Sequence, residues 1–370
     1  MKETITSYVG LDVHKDTIAI AVAQAGREAP RFVGTVGSDL KGLCKALQGT
    51  GSAGHTLVVY EAGPCGYGLA RHLSARGYAC EVIAPARIAR SAADQRIKTD
   101  RRDALLLARE SRAGNLTCVV MPDARDEAMR DLSRSREDAC AARHRARLQL
   151  KALLLRHGLA FRGRQSWSAA HERQLSTVRF DYPAQQIAFE EYRQAVKETH
   201  ERLHRITEQL REHSAHWRMN PLVKALMSLR GIDFVSAVTF VAEIGDLSRF
   251  THAPALMGYL GLVPSEYSTG QSRHQGPITK TGNKHARRIL VEAAWNYRFS
   301  ARVSRVLEVR QQDQPKIIRD IAWRAQLRLT KRFRHLRVGR KLPQNKVCIA
   351  IARELAGFIW DIGRHVQPAP

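Results

Sequence analysis

The stretch Lys98-Thr99-Asp100-Arg101-Arg102-Asp103-Ala104 sets two carboxylates three residues apart, directly before the apolar run Leu105–Leu107. This spacing predicts that Asp100 and Asp103 share one face of a helix. Two interpretations are open. The carboxylates can share one metal ion, or Asp100 can be the N-cap with Asp103 in the first turn, where acids satisfy backbone N–H groups. Taken alone, the stretch favours the cap.

Two earlier acidic residues, each on an apolar strand, reverse that preference. Asp12 lies between Leu11 and Val13, where a carboxylate is costly to bury unless a cation or an edge position relieves it. Glu61 ends the almost continuous apolar run Thr56–Tyr60, which is typical of a strand covered on both faces. Clustered carboxylates hold divalent metals, so a fold that brings these four acids together would form a metal site.

The order of apolar runs predicts an α/β domain at the amino terminus. Three β-prone runs between Ser7 and Val36 are separated by polar breaks, as in an antiparallel meander. The following runs predict a helix over 39–47, a strand over 56–61, a helix through 72–73, a strand over 78–85 and a helix over about 100–113.

Composition limits the classes of partner. The chain has 370 residues, enough for two or more domains, and carries 60 Lys and Arg against 35 Asp and Glu, a formal charge of +25. Such a charge attracts polyanions, so nucleic acid is the predicted partner, ahead of an acidic protein or a membrane surface. The six cysteines are widely spaced, without a zinc pattern, and we expect them to be buried residues of a cytoplasmic protein. No apolar run approaches the roughly 18 residues that span a bilayer.

Residues 122–217 are predicted to be helical and charged. Seven residues recur at alternating steps of three and four, as in a coiled-coil seam: Phe189, Tyr192, Val196, Thr199, Leu203, Ile206 and Leu210. An earlier helix over about 125–157 has an apolar side among many arginines. The two helices predict an antiparallel arm, either a plain intramolecular pair or an arm that dimerises. The arginines form a solvated surface or a nucleic-acid-binding face, and the net charge favours the latter.

The carboxyl-terminal half contains three features. Residues 222–250 predict two helices around a tight turn, similar to a helix-hairpin-helix that grips phosphate, although Asp233 replaces its second glycine and a purely structural hairpin fits as well. Residues 258–288, rich in hydroxyls, glycines and basic residues, predict an exposed functional loop. Residues 316–341 predict a basic amphipathic helix, and residues 347–366 an apolar one that packs on the body.

Three acidic motifs stand in order in the amino-terminal part: Gly10-Leu11-Asp12-Val13-His14-Lys15, Tyr60-Glu61-Ala62-Gly63 and the stretch Lys98–Ala104. They closely resemble the motifs of the DEDD transposases, insertion-sequence recombinases whose N-terminal domain is similar to a RuvC-type resolvase with a ribonuclease H fold, and whose relatives include pilin-gene DNA invertases. The resemblance implies one catalytic metal site formed by Asp12, Glu61, Asp100 and Asp103. An all-carboxylate site suits Mg²⁺, for which Mn²⁺ can substitute.

The hydroxyl-rich loop resembles the second signature of the same family, whose C-terminal transposase domain supplies a serine nucleophile. By resemblance, that serine attacks the scissile phosphate and forms a phosphoserine link to DNA. The alignment sets this position at Thr269, which could act as the alcohol itself. The adjacent Ser268 is the next candidate after a small shift of the loop, and Ser272 is the third. An inactive copy is a further possibility.

The resemblance implies a complete domain plan. It comprises a RuvC-like α/β catalytic domain (1–120), a helical coiled-coil arm (121–217), a mainly α transposase domain with the helix-hairpin-helix-like element and the nucleophile loop (218–310), and basic C-terminal helices (311–370). Members act on donor and target DNA as dimers paired into tetramers, with an element-encoded bridge RNA as guide. The predicted nucleic-acid-binding residues are Lys280, Arg287, Arg288, Arg324, Arg328, Lys331 and Arg332.

Two other functions stay open at this stage. In a nuclease of the Holliday-junction-resolving or another structure-specific kind, the four acids activate water and no covalent link to DNA forms. In a catalytically silent nucleic-acid-binding protein, the charge alone explains the composition.

Overall fold

The computed structural model describes residues 4–85, 88, 99–270 and 272–368. The chain divides into two compact units, Met1–Met121 and Pro122–Pro370. Lys98 of the third acidic motif and Gln271 of the hydroxyl-rich loop lie outside the described residues. The division of the chain into four domains, at 1–120, 121–217, 218–310 and 311–370, remains a prediction.

A mixed five-stranded sheet forms the centre of the amino-terminal unit. Its strands are β1 (Ser7–Val13), β2 (Thr17–Gln24), β3 (Arg31–Gly37), β4 (Thr56–Glu61) and β5 (Ala79–Ile83). Their order is β3-β2-β1-β4-β5; β2 is antiparallel to β1 and β3, and β4 is parallel to β1 and β5. The predicted meander and α/β fold are confirmed.

Helices cover both faces of this sheet. They are α1 (Leu40–Gln48), α2 (Gly68–Ser74) and α3 (Asp100–Arg112). On one face Leu43 of α1 and Leu73 of α2 belong to the core that the strands build, whereas on the other face Ala104 and Ala108 of α3 pack with Ala21 of β2. Coverage on both faces is the reason that β4 is almost continuously apolar.

The start of α3 excludes one of the two interpretations of its carboxylates. The N-cap is Thr99, whose side chain accepts a hydrogen bond from the backbone N–H of Arg102 at 3.3 Å. Asp100 is therefore the first residue of the helix, and the interpretation with Asp100 as the cap was wrong. Because Thr99 fills the capping role, the carboxylate of Asp100 is not needed for it.

Two antiparallel helices of 33 residues lead the second unit. They are α4 (Ala124–Arg156) and α6 (Pro183–Ala215), with the short α5 (Ala169–Thr177) between them. Arg136, early in α4, donates to Thr207, late in α6, and Leu150, late in α4, clusters with Phe189, early in α6. All seven seam residues are at least partly buried. Dimerisation of the arm stays a prediction.

The rest of this unit is mainly helical around one large core. Its helices are α7 (Asn220–Leu226), α8 (Phe234–Ile244), α9 (Ala253–Tyr259), α10 (Lys284–Ala294), α11 (Arg305–Gln311), α12 (Lys316–Arg334) and α13 (Gln344–Gly363). The core includes Phe240, Leu290, Leu329 and Ile351, from four of these helices. The predicted loop over 258–288 was wrong in part, because it contains the end of α9, the start of α10 and an antiparallel hairpin of β6 (Pro264–Glu266) and β7 (Gln275–Ile278).

Burial of the cysteines differs from expectation. Cys348 is buried and Cys44, Cys80 and Cys140 are half-buried, but Cys65 and Cys118 are exposed, so the prediction of six buried cysteines was wrong for these two. All six are free thiols. Among the described helices, none combines the length and apolarity needed to cross a membrane.

Close packing of α3 on β1 leads to the first prediction. A Cβ at Gly10 would overlap the backbone carbonyl of Ala104 and lie 2.8 Å from the Cβ of Leu107. Gly10→Ala should therefore lower the free energy of unfolding by about 1–3 kcal/mol, as overpacking does. Gly68→Ala is the matched control, because nothing lies within 4 Å of a Cβ there. Denaturant unfolding of both variants measures this, and equal stability would contradict the packing.

His171 in α5 makes stability depend on pH. Its Nδ1 accepts a hydrogen bond from the backbone N–H of Trp167 at 2.9 Å, and only 1% of the residue is exposed. Burial lowers the pKa of His171 below its ordinary value of 6.5, against a smaller opposite effect of Glu172. The neutral ring is thus the folded form.

Because the unfolded chain binds a proton more readily, the stability supplied by neutral His171 is present above pH 6.5 and is lost as pH falls towards the folded-state pKa. His171→Gln keeps an acceptor but cannot titrate. We expect wild type to lose more stability than this variant between pH 7.5 and 5.5. Parallel losses in denaturant unfolding at the two pH values would contradict the assignment.

Candidate active site

Two carboxylates and one imidazole meet where β1 ends and α3 begins. The Nε2 atom of His14 lies 3.3 Å from Oδ2 of Asp12 and 3.5 Å from Oδ1 of Asp100. One possible ligand atom from each of the three residues lies within 4.8 Å of the others. Asp12 is half-buried, whereas His14 and Asp100 are exposed. The site is therefore open to solvent on one side, as a site for a large substrate must be.

The third aspartate belongs to the same electrostatic environment. Asp103 is buried on α3, and its charge, like that of Asp100, raises the pKa of Asp12. The largest cause of that raised pKa is burial of Asp12 itself, while His14 lowers it by charge and hydrogen bonding. Like charges held this close repel one another, and a cation between them relieves the repulsion.

The strand register sets the position of Glu61. In the parallel pair β1–β4, Leu11 is opposite Tyr60, so Asp12 and Glu61 follow side by side at the carboxyl ends of neighbouring strands. Leu11 and Tyr60 both belong to the core under α1 and α2. Because side chains alternate along a strand, Asp12 and Glu61 project to the other face, which α3 covers.

His14 is the residue that sequence reasoning missed. It was part of a recognised motif but was not predicted as a ligand. The available signal was its spacing, because residues i and i+2 of an extended backbone project to the same side. Asp12 and His14 have this spacing, and the structure brings both to Asp100.

The chemistry of these donors fits a divalent cation. Carboxylate oxygens suit the hard ions Mg²⁺ and Mn²⁺, and an imidazole nitrogen is more common around transition metals. Two of the carboxylates lie at the amino end of α3, where the helix dipole stabilises negative charge before any metal is bound.

The predicted nucleophiles lie on the β6–β7 hairpin. The hydroxyl of Ser268 donates to Oε1 of Glu266 at 3.0 Å and accepts from the backbone N–H of His274 at 3.3 Å. Thr269 pairs through its backbone with Ser272, by hydrogen bonds of 3.0 and 3.1 Å. Both candidates are exposed. The Ser268 hydroxyl thus has a carboxylate as its hydrogen-bond acceptor.

All five predicted nucleic-acid-binding arginines have partners within the chain. Arg287 donates to the backbone carbonyls of Leu260 and Thr281, both at 2.9 Å. The others form ion pairs: Arg288 with Glu137 and Glu292, Arg324 with Asp361, and Arg328 and Arg332 with Glu354. Lys280 and Lys331 are exposed. Their contact with nucleic acid remains a prediction.

In the helix-hairpin-helix-like element, Asp233 in place of the second glycine has a structural role. Gly231 adopts a positive φ of 85° in the turn, and a Cβ there would lie 2.6 Å from the carbonyl oxygen of Ala293. Asp233 is the N-cap of α8, where its carboxylate accepts from the N–H of Ser236 at 2.8 Å. A carboxylate at this helix start competes with phosphate for the same N–H groups.

Comparison with known proteins covers both units. Residues 9–158 match a family model for the DEDD transposases of IS110, described as a transposase, and residues 223–308 match the model described as the transposase IS116/IS110/IS902 family. A protein of Sinorhizobium fredii named as a transposase, y4qE, is 44% identical and spans 98% of this chain and 89% of its own length. The transposase for insertion sequence element IS1533 of Leptospira borgpetersenii is 31% identical and spans 90% of this chain and 97% of its own.

The chain belongs to the IS110/IS116 family of transposases. It is therefore an enzyme that acts on the DNA of insertion elements. In this transposase the first matched range contains all four predicted acids together with His14, and the second contains the β6–β7 hairpin with Ser268 and Thr269.

Metal binding to the transposase can be measured without its DNA substrate. Asp12→Asn removes one charge from the half-buried centre of the cluster, and we expect it to weaken Mn²⁺ binding by tenfold or more, about 1.4 kcal/mol. Glu28→Gln removes one exposed carboxylate elsewhere in the same unit and should leave the affinity unchanged. Calorimetric titration of both full-length variants with Mn²⁺ gives the comparison. Equal affinities for Asp12→Asn and wild type would refute the site.

Proposed function

We propose that this transposase recombines DNA through a serine–DNA phosphodiester, with Mg²⁺ held by Asp12, Glu61, Asp100 and Asp103. The observation that carries the proposal is the meeting of Asp12, His14 and Asp100, with Asp103 close enough to raise the pKa of Asp12. A bound Mg²⁺ would stabilise negative charge that develops on phosphate oxygens, and Mn²⁺ would substitute for it. His14 would orient the two carboxylates that it touches.

We infer that the nucleophile is Ser268 rather than Thr269. The alignment favours Thr269, but the hydrogen bond from the Ser268 hydroxyl to Glu266 gives that oxygen a neighbouring proton acceptor. Nucleophilic hydroxyls are weak at their own pKa and act with an adjacent base. Serine also lacks the methyl branch that hinders a threonine.

The proposal includes the finer features of the family. We infer a ribonuclease H-like, RuvC-type fold for the first unit, supported by the strand order β3-β2-β1-β4-β5 with acids at the ends of the neighbouring strands β1 and β4. We also infer a bridge RNA as guide and dimers paired into tetramers. These are supported by the family resemblance, and the guide also by the charge of +25, which favours polyanions.

A covalent adduct separates this proposal from a nuclease that uses water. The chain would be expressed with the DNA that flanks its gene, denatured, digested with protease and nuclease, and searched by mass spectrometry for a nucleotide on the peptide with residues 268–269. We expect the adduct in wild type and in Thr269→Ala, and its loss in Ser268→Ala and Asp103→Asn. A single discrete RNA in the same preparation is the result that the guide requires.

Two outcomes would contradict the proposal. Cut DNA without any adduct would favour the structure-specific nuclease, since water would then be the nucleophile. An adduct that survives Ser268→Ala and is lost in Thr269→Ala would make threonine the nucleophile, as the alignment suggests.

A further inference from the structure

The hairpin that carries Ser268 also carries a carboxylate directed at its hydroxyl. Glu266 is the last residue of β6, and Ser268 follows two residues later in the turn of the hairpin. Oε1 of Glu266 lies 3.0 Å from Oγ of Ser268. This is hydrogen-bond distance, which is the first requirement for proton transfer.

We propose that Glu266 is the general base that takes the proton of Ser268 when this hydroxyl attacks the scissile phosphate. The inference rests on the proposed function, because it needs Ser268 as the nucleophile. It adds a catalytic residue outside the four acids and Ser268 itself, on the same hairpin as the hydroxyl.

The contacts around Ser268 fix the direction of its proton. The backbone N–H of His274 donates to Oγ at 3.3 Å and so occupies one of its lone pairs. The carboxylate of Glu266 can only accept, so the O–H bond of Ser268 points towards Glu266. In this arrangement the other lone pair of Oγ is left for the phosphorus atom.

Neighbouring side chains hold the carboxylate. Nε of Arg273 lies 3.3 Å from Oε1, and Nε2 of Gln275 lies 3.5 Å from Oε2. The hydrogen bond from Ser268, followed by those from Gln275 and the charge of Arg273, lowers the pKa of Glu266. Glu266 is thus ionised at neutral pH, as an acceptor must be. A lowered pKa also makes it a weaker base, so the proton is transferred only as the new bond forms.

The step balances as a transesterification. The O–H bond of Ser268 and the phosphorus–oxygen bond to the leaving deoxyribose break, while a bond between Oγ and phosphorus forms. The proton passes from Ser268 to Glu266, which then releases it to solvent, while the leaving alkoxide takes one proton from solvent. The carboxylate is thereby restored, and the numbers of phosphodiester bonds and of protons are unchanged. No oxidant, reductant or further reactant is required.

The test compares rates of adduct formation at several pH values. Glu266→Gln keeps an oxygen that can accept the Ser268 hydrogen bond but cannot take its proton. We expect adduct formation to be slower by about 100-fold or more at pH 7, which is the usual range for loss of a general base. Glu308→Gln, which changes an exposed residue of α11, is the control and should match wild type. The ratio of wild-type to Glu266→Gln rates should shrink from pH 6 to 9, because hydroxide can replace the missing base.

A second measurement needs no DNA. Carbon-13 NMR of labelled glutamate side chains in the full chain follows titration of Glu266, whose pKa should rise towards the ordinary value in Ser268→Ala, because the main lowering hydrogen bond is lost. Thr269→Ala should leave it unchanged. An unchanged pKa in Ser268→Ala would overturn the inferred contact.

The outcomes also distinguish this inference from the proposed function. If wild type forms the adduct and Glu266→Gln forms it at the same rate, or with a rate ratio constant over pH, Glu266 is not the base although Ser268 remains the nucleophile. If wild type forms no adduct, both proposals fail together.

Discussion

The approach of α3 to β1 is the constraint on which the acidic cluster depends. At Gly10 the backbone of α3 lies so close that a single added carbon would overlap it. Asp12 is two residues further along the same strand, and Asp100 is the first residue of the same helix. A larger residue at Gly10 would separate the two elements and with them the carboxylates. The geometry of the acids is therefore determined by a contact that contains no charge.

Packing of α3 on the sheet holds Asp12, Asp100 and Asp103 together although their negative charges repel one another. Apolar burial of Ala104, Leu107 and Ala108 holds the helix against the sheet, whereas Asp100 and Asp103 both act to raise the pKa of Asp12. The amino end of the helix offsets part of this cost, because its dipole favours negative charge. Thr99 caps the helix, so the acids are not needed as caps. The helix start thus supplies a field that favours negative charge where Asp100 and Asp103 lie.

Sequence patterns predicted those elements whose apolar residues repeat with the period of the strand or helix and are buried in the structure. β4 and the seam of α6 were foreseen because their apolar residues repeat at the spacing of the element. The β6–β7 hairpin was missed because its strands have three and four residues, too few to display alternation. All four acids could be tied to elements from the sequence, Asp12 and Glu61 to strands and Asp100 and Asp103 to the start of a helix. The participation of His14 required the relative position of β1 and α3, and the hydrogen bond of Ser268 required the hairpin, which no periodicity indicates.

The basic residues show why charge in a sequence predicts a partner better than it predicts contacts. Arg324, Arg328 and Arg332 pair with carboxylates of α13 on exposed surface, where an ion pair contributes only about 0–1 kcal/mol. A phosphate can replace such a carboxylate at little cost. Arg287 is different, because it donates to two backbone carbonyls, one directly after α9 and one after the β6–β7 hairpin. Burial also lowers the pKa of its guanidinium. Its removal would take this donor from both carbonyls, so its positive charge is better explained by the fold than by nucleic acid.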